Sequence, residues 1–420
     1  MDEEKKEVVF KSNKILLSLT NGDNNKYYEN NEELKKENDQ PYEEADFRNL
    51  IHEETQKFVQ QNFSNIVVLF GAGASVTNNK YTSDERGFAK TGLTVLNIAK
   101  QIFEQLNNGT YTLGENVVEV YSLDEIAEIS SYSDNIIDEN GNLNHEFNLE
   151  DFLSNLFAFE KFMPDRLKEK LLSTKDVILD IIVKSTSYDY NSETFKHVKL
   201  LNILSDLIKS DNKLNLVSTN YDTLIEDAAE TMKWTVFDGF SFSQSPQFDS
   251  TMFDWNLVKD VPNVKTNENI YKRNVVNLLK IHGSLTWELS PSETNIVRKS
   301  KEHVTKPILI FPSSDKFAKS YQEPYFDLFN KFQNLLQKPN TLLITIGFSF
   351  ADDHIARMIL NAILTNNSLA SLITDYNIES KNINWKELET VMNEYYNVAF
   401  LKATLHDKLT IYLGDSKHDN

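Results

Sequence analysis

Short runs of β-branched and aliphatic residues that stop abruptly at small or polar residues set the strongest limit on how this chain can fold. Ile66-Val67-Val68-Leu69-Phe70 ends at Gly71, and comparable runs occupy Leu214 to Val217, Val275 to Ile281, Pro307 to Phe311 and Leu342 to Phe348. A run without polar alternation reads as a strand covered on both faces, which is the condition of strands in a parallel sheet. Helical periodicities lie between the runs. The pattern predicts an α/β fold with a doubly wound, mainly parallel Rossmann-like sheet, whose ligands gather at the carboxyl ends of the strands.

More than a hundred residues separate the first run from the second, too many for one crossover, and Asp151 to Phe162 and Leu167 to Ser187 within them read as helices. An inserted, mainly helical subdomain at about 100–212 is therefore expected inside a main α/β body of residues 63–355. Residues 1–62 read as a charged, partly mobile segment, poor in buriable side chains from Asn21 to Glu44 and ending in a helix over 46–62. Residues 356–420 read as a helix followed by a β-hairpin, with Val398 to Leu405 and Leu409 to Leu413 flanking His406-Asp407-Lys408.

Composition removes several function classes. The 420 residues hold 43 Lys and Arg against 63 Asp and Glu, a formal charge of −20, so sequence-independent binding to a phosphate backbone is not expected. No cysteine is present, which excludes disulfides, a thiol nucleophile and Cys-based zinc or iron–sulfur sites. The apolar runs are far shorter than the roughly 18–20 residues that span a bilayer, and Met1-Asp2-Glu3-Glu4-Lys5-Lys6 does not open a secretory signal. A cytoplasmic protein without membrane contact is expected.

Four segments at strand ends carry chemistry. Gly71-Ala72-Gly73-Ala74-Ser75 would let backbone approach a pyrophosphate ahead of a helix N-terminus, although Val76 stands where a third glycine would complete a dinucleotide fingerprint. A plain tight turn would use the same residues. Ser218-Thr219-Asn220-Tyr221-Asp222 places two short polar side chains at spacing two, able to hold a ribose, a water or a carboxamide, and equally able to cap a helix. Lys280-Ile281-His282-Gly283 delivers an imidazole that can take a proton at neutral pH, or a histidine satisfied by backbone. Gly347-Phe348-Ser349, followed by Asp352-Asp353-His354, offers a second glycine–hydroxyl turn, with either aspartate suited to capping the next helix.

In their order these segments resemble the SIR2 family. Gly71 to Ser75 is similar to its first phosphate-binding turn, Thr219 to Asp222 to its Gln-Asn-x-Asp motif, His282-Gly283 to its catalytic His-Gly, and Gly347 to Ser349 to its late Gly-x-Ser turn. The resemblance covers roughly Asn65 to Ile355, and Lys280 to Trp287 and Gly347 to Ile355 look specifically like SIR2-like proteins of bacterial antiphage defence, which consume NAD. Two departures matter. The four-cysteine zinc module of protein-deacylating sirtuins is missing, so no zinc or other metal is expected, and Thr219 replaces the family's usual Gln.

The resemblance implies NAD+ as substrate, cleaved between nicotinamide and ribose. It implies that Asn220 positions water and ribose, that His282 acts as general base or contacts a ribose hydroxyl, and that Asp222 orients the nicotinamide end or stabilises positive charge. Gly71, Ala72, Gly73 and Ser75 would cradle the pyrophosphate, Thr219 and Gly283 would complete the cofactor-binding set, and Gly347 with Ser349 would serve the adenosine side. The function so implied is an NAD-depleting effector of phage defence, restrained in a homo-oligomer or by a partner such as a HerA-type ATPase. Two other readings keep part of this set: a non-catalytic sensor of NAD or ADP-ribose, and a zinc-free ADP-ribosyltransferase or deacylase.

Overall fold

The computed structural model describes residues 6–414 apart from 22–24, 37–38, 78–81, 84–88, 146, 161, 209–211, 260–269, 293–294, 310–323, 380–381 and 395. One sheet dominates it. In chain order its strands are β1 (Lys6–Ser12), β2 (Leu16–Thr20), β3 (Lys26–Glu29), β4 (Glu32–Glu33), β5 (Asn65–Phe70), β6 (Leu214–Ser218), β7 (Thr235–Phe237), β8 (Val275–Lys280), β9 (Thr341–Ile346), β10 (Leu369–Asp375) and β11 (Val398–Lys402). Across the sheet they run β4-β3-β2-β1-β11-β10-β9-β5-β6-β8-β7. From β11 to β7 every pairing is parallel, and from β11 back to β4 every pairing is antiparallel.

Burial on both faces explains the unbroken apolar runs. Within β5, Ile66, Val68 and Phe70 enter one core, while Val67 and Leu69 enter the other. The first core is closed by helices Glu44–Val59, His197–Asp206 and Leu409–Leu413, the second by Tyr325–Gln337, Asp353–Thr365 and Ile383–Asn393. Burying both faces along such a strand supplies about 1.5–3 kcal/mol per large aliphatic side chain, which a half-solvated strand would not gain. This is the doubly wound, mainly parallel arrangement expected from the sequence.

The insertion between β5 and β6 has its own core. Helices Val95–Leu106, Leu123–Ser130, Leu149–Glu160 and Asp165–Thr186 enclose Ile102, Ile126, Phe152 and Ile178, with an antiparallel hairpin, Thr110–Leu113 and Asn116–Glu119, against them. His197–Asp206, placed in the insertion by the sequence reading, packs Leu200, Leu201 and Leu204 on the main sheet instead.

Three sequence expectations are corrected. The N-terminal residues contain strands: β1 pairs with β11, and β2 to β4 extend the sheet as an antiparallel meander that hides Val9, Phe10, Leu17 and Tyr27. The C-terminal hairpin does not form, because Val398–Lys402 pairs with β10 and β1 and Leu409–Leu413 is a helix over the core. Finally, the described part of the run from Pro307 to Phe311 gives no strand in the main sheet: Ile308–Leu309 pairs, among the described residues, with Gly283–Ser284, and residues 310–311 lie outside them.

Topology fixes where a ligand can enter. The chain moves from β5 to β6 on one side and later inserts β9 on the other side of β5, so strand order reverses between β5 and β9. Crossovers leaving in opposite directions open a crevice beyond the carboxyl ends of two such strands. Gly71 follows β5 and Gly347 follows β9, so both glycine turns stand at that switch point.

Candidate active site

The two glycine turns interlock. Gly71 N–H donates to Ile346 O at 3.0 Å and Gly73 N–H to Gly347 O at 2.9 Å. A Cβ on Gly71 would lie 2.5 Å from Gly347 O, and one on Gly347, whose φ is +60°, would lie 2.5 Å from Gly73 C. The glycines are therefore required first by close approach of backbone to backbone. The amides of Ala74 and Ser75 are engaged within the turn by Gly71 O and Ala72 O. The α-helix that the sequence leads one to expect directly after this loop does not form: Ala72–Ala74 is a single 3-10 turn, and among the described residues the next helix begins at Val95.

Beyond the turns lies a cavity of about 680 Å³. Ala72, Gly73, Ser75, Thr219, Asn220, Asp222, His282, Gly347 and Ser349 line it; Gly71 and Gly283 do not. Gly283 has another role, since its φ is +90° and a Cβ there would sit 2.2 Å from Ile308 O across the small ladder.

Asn220 is held by its amide. Nδ2 donates to Gly71 O at 2.9 Å and to Ser75 Oγ at 2.8 Å, which fixes the amide orientation and leaves Oδ1 as its acceptor. Ser75 Oγ donates in turn to Asp222 Oδ2 at 2.6 Å, and Asp222 Oδ1 accepts Leu224 N–H at 3.2 Å, at the start of helix Leu224–Thr231. Ser75 is thus a relay between Asn220 and Asp222. Thr219 Oγ1 donates to Phe70 O at 3.3 Å.

Lys280, only 1% exposed, lies beneath this loop. Its ammonium donates to Asp222 O and stands 3.6 Å from Glu226 Oε1. The Glu226 side chain keeps 27% of its surface, yet its Oε2 is sequestered without a hydrogen-bond partner. Burial pushes this carboxyl up to about 7, against the opposing pull of Lys280.

His282 emerges just after β8 and is 6% exposed, with Nε2 3.2 Å from Asp352 Oδ2. The other oxygen of Asp352, Oδ1, accepts His354 N–H at 3.1 Å and caps helix Asp353–Thr365. The sequence offers either Asp352 or Asp353 as the cap of this helix, and nothing local in it signals the second partner of Asp352. The turn that delivers it contains Phe350 at φ +58°, a bulky residue in the left-handed region held by rings of Phe348 and Trp385 at centroid distances of 4.9 and 5.7 Å.

Asp375 and Tyr188 are among the lining residues that carry no signal in the sequence. Asp375 ends β10 and reaches the cavity, its carboxyl pushed up to about 6 by burial despite a hydrogen bond from Asn377 N–H. Tyr188 is buried against the same cavity, and desolvation raises its phenol well above the usual range. No Lys or Arg lines the cavity among the described residues, and none of them form a group of three or more His, Cys, Asp or Glu able to hold a metal.

Residues 215–414 match a family model described as a SIR2-like domain. The match takes in Asn220, Asp222, His282, Gly347, Ser349 and Asp352; Gly71 to Ser75 precede it. A comparison with curated proteins finds no match.

Proposed function

We propose that this chain, with a SIR2-like domain over residues 215–414, is an NAD+ hydrolase that cleaves the nicotinamide–ribose bond to give nicotinamide and ADP-ribose. One observation carries the reading: the locked amide of Asn220 and the paired His282 and Asp352 share a single cavity at the switch point. A volume of about 680 Å³ falls inside the roughly 300–1,000 Å³ usual for enclosed ligands.

The chemistry asks little acid catalysis. As the C1′–N1 bond breaks, its electron pair neutralises the pyridinium and nicotinamide leaves uncharged, while positive charge develops on the ribose. Carboxylates of Asp222 and Asp352 in the cavity wall favour that charge electrostatically. Asn220 Oδ1 accepts a hydrogen bond from the attacking water or a ribose hydroxyl, and water oxygen bonds to C1′ as its proton passes to the imidazole of His282. Asp352 steadies that imidazole. The pyrophosphate would meet Ser349 and the start of helix Val95–Leu106, whose cap Thr94 and first residue Val95 also line the cavity.

An NAD-depleting role in phage defence, acting in the cytoplasm and restrained by self-assembly or a HerA-type ATPase, is supported by the resemblance of Lys280 to Trp287 and Gly347 to Ile355. Nicotinamide release by purified chain, alone and with the product of a neighbouring gene, tests the activity. Asn220→Ala and His282→Ala should each lower release by roughly 100-fold or more. Binding of NAD without release by wild type in either condition would favour the sensor reading, and release only with an acceptor peptide would favour transfer.

A further inference from the structure

A second cavity of about 430 Å³ lies beside the first, and the two share Tyr376, Ala403 and Thr404 in a common wall. Its remaining lining comes from the antiparallel strands, from helix Glu44–Val59 and from the segment after β11. Most of that surround precedes the SIR2-like match. The N-terminal extension therefore does more than cover a sheet edge: it walls a pocket that β11 and its following turn would otherwise leave open.

The two cavities differ in charge. Among the described residues the first is lined by no Lys or Arg, whereas the second is lined by Arg48, Lys402 and Lys408. Lys402 is paired with Glu7, which also accepts Asn21 Nδ2 at 2.6 Å. Arg48 and Lys408 make no ion pair among the described residues. Glu44 and Asp407 also line the space, and so do the rings of Tyr27, Tyr376 and Tyr412. Tyr376, at the common wall, is 72% exposed.

We propose that this second cavity binds a small nucleotide, separately from the dinucleotide in the first. Arg48 and Lys408 meet its phosphate, Glu44 and Asp407 accept its ribose hydroxyls, and a tyrosine ring covers its base. A volume of about 430 Å³ lies toward the lower part of the range for small-molecule sites, as a mononucleotide requires. Occupancy would be felt in the first cavity through the shared wall, where Ala403 N–H donates to Asp375 O at 3.0 Å. Binding at this site does not depend on whether the first cavity hydrolyses NAD.

Calorimetric titration of the full chain with 5′-AMP, inorganic phosphate and NAD provides the test. Wild type should bind AMP, and Arg48→Ala/Lys408→Ala should weaken that binding by roughly tenfold or more while leaving NAD binding unchanged. Either single substitution serves if the double variant does not fold. The proposal is overturned if wild type binds no AMP, or if the variant binds AMP as tightly as wild type. Equal binding of phosphate and AMP would overturn the nucleotide assignment, and equal loss of NAD and AMP would make the second cavity an arm of the first. A chain that fails to hydrolyse NAD yet passes this titration would separate the two readings.

Discussion

The turns after β5 and β9 share a pattern in sequence, a glycine at the strand end and a serine within the next four residues, but they do different work. The turn of Gly71 to Ser75 is a brace. The amides of Gly71 and Gly73 bond to Ile346 and Gly347, those of Ala74 and Ser75 bond within the turn, and its serine hydroxyl links Asn220 to Asp222. The turn of Gly347 to Asp352 is a delivery arm, strained at Phe350 and ending in a carboxylate that serves both a helix cap and His282. A glycine-rich strand end thus says that backbones come close, and here the partner is first another backbone.

Substitutions can break or sharpen that contrast, starting with the glycine at which the two turns touch. Gly347→Ala should be the most damaging, because positive φ and contact with Gly73 act together; a loss of roughly 3 kcal/mol or more is expected in denaturant unfolding. Gly109→Ala supplies the control, since Gly109 also has positive φ, +72°, but open space around it, and should cost only about 1–2 kcal/mol. Equal losses would mean that the interlock contributes nothing.

Asp352→Asn separates delivery from capping. Asparagine caps a helix about as well as aspartate, so the melting temperature should hold while nicotinamide release falls by roughly tenfold to 100-fold through loss of the charge beside His282. A variant with unaltered turnover would reduce Asp352 to a cap. Ser75→Ala should be milder in turnover but visible in stability, at about 1–3 kcal/mol, because Asn220 loses an acceptor and buried Asp222 a donor. Loss of activity without loss of stability would return Ser75 to the substrate.

The smallest effect is a pH dependence. Glu226 is raised in the folded chain from 4.5 to about 7, so it contributes stability that is present below about 4.5 and lost as pH rises through about 7. Glu226→Gln should remove that slope: the stability of the variant relative to wild type should increase between about pH 4.5 and pH 7. A constant difference across the window would show that Lys280 keeps Glu226 ionised throughout.

Much of the site could be read before any coordinates. Asn220, Asp222 and His282 each follow an apolar run, and such runs announce themselves because burial on two faces forbids polar alternation. Strand β10 escaped this rule although all seven of its residues are buried. Its Leu-Ala-Ser-Leu-Ile-Thr-Asp carries hydroxyls that look solvent-bound in sequence, and Thr374 satisfies its own by donating to Thr345 O at 2.7 Å. Missing β10 meant missing Asp375. The N-terminal strands were hidden by charge, since Lys6 and Glu7 flank Val8-Val9-Phe10 and find partners only across the sheet, as Glu7 does with Lys402.

The sequence by itself determined that this chain builds a parallel, doubly covered sheet with polar groups at the strand ends, because backbone periodicity and burial act over a few neighbouring residues. Tertiary structure alone decided that β9 lies beside β5, that Gly347 touches Gly73, that Ser75 bridges Asn220 and Asp222, and that Asp352 reaches His282. Those distances depend on the order in which crossovers lay strands side by side, and no local pattern encodes the distance between two turns that meet only after the sheet has formed.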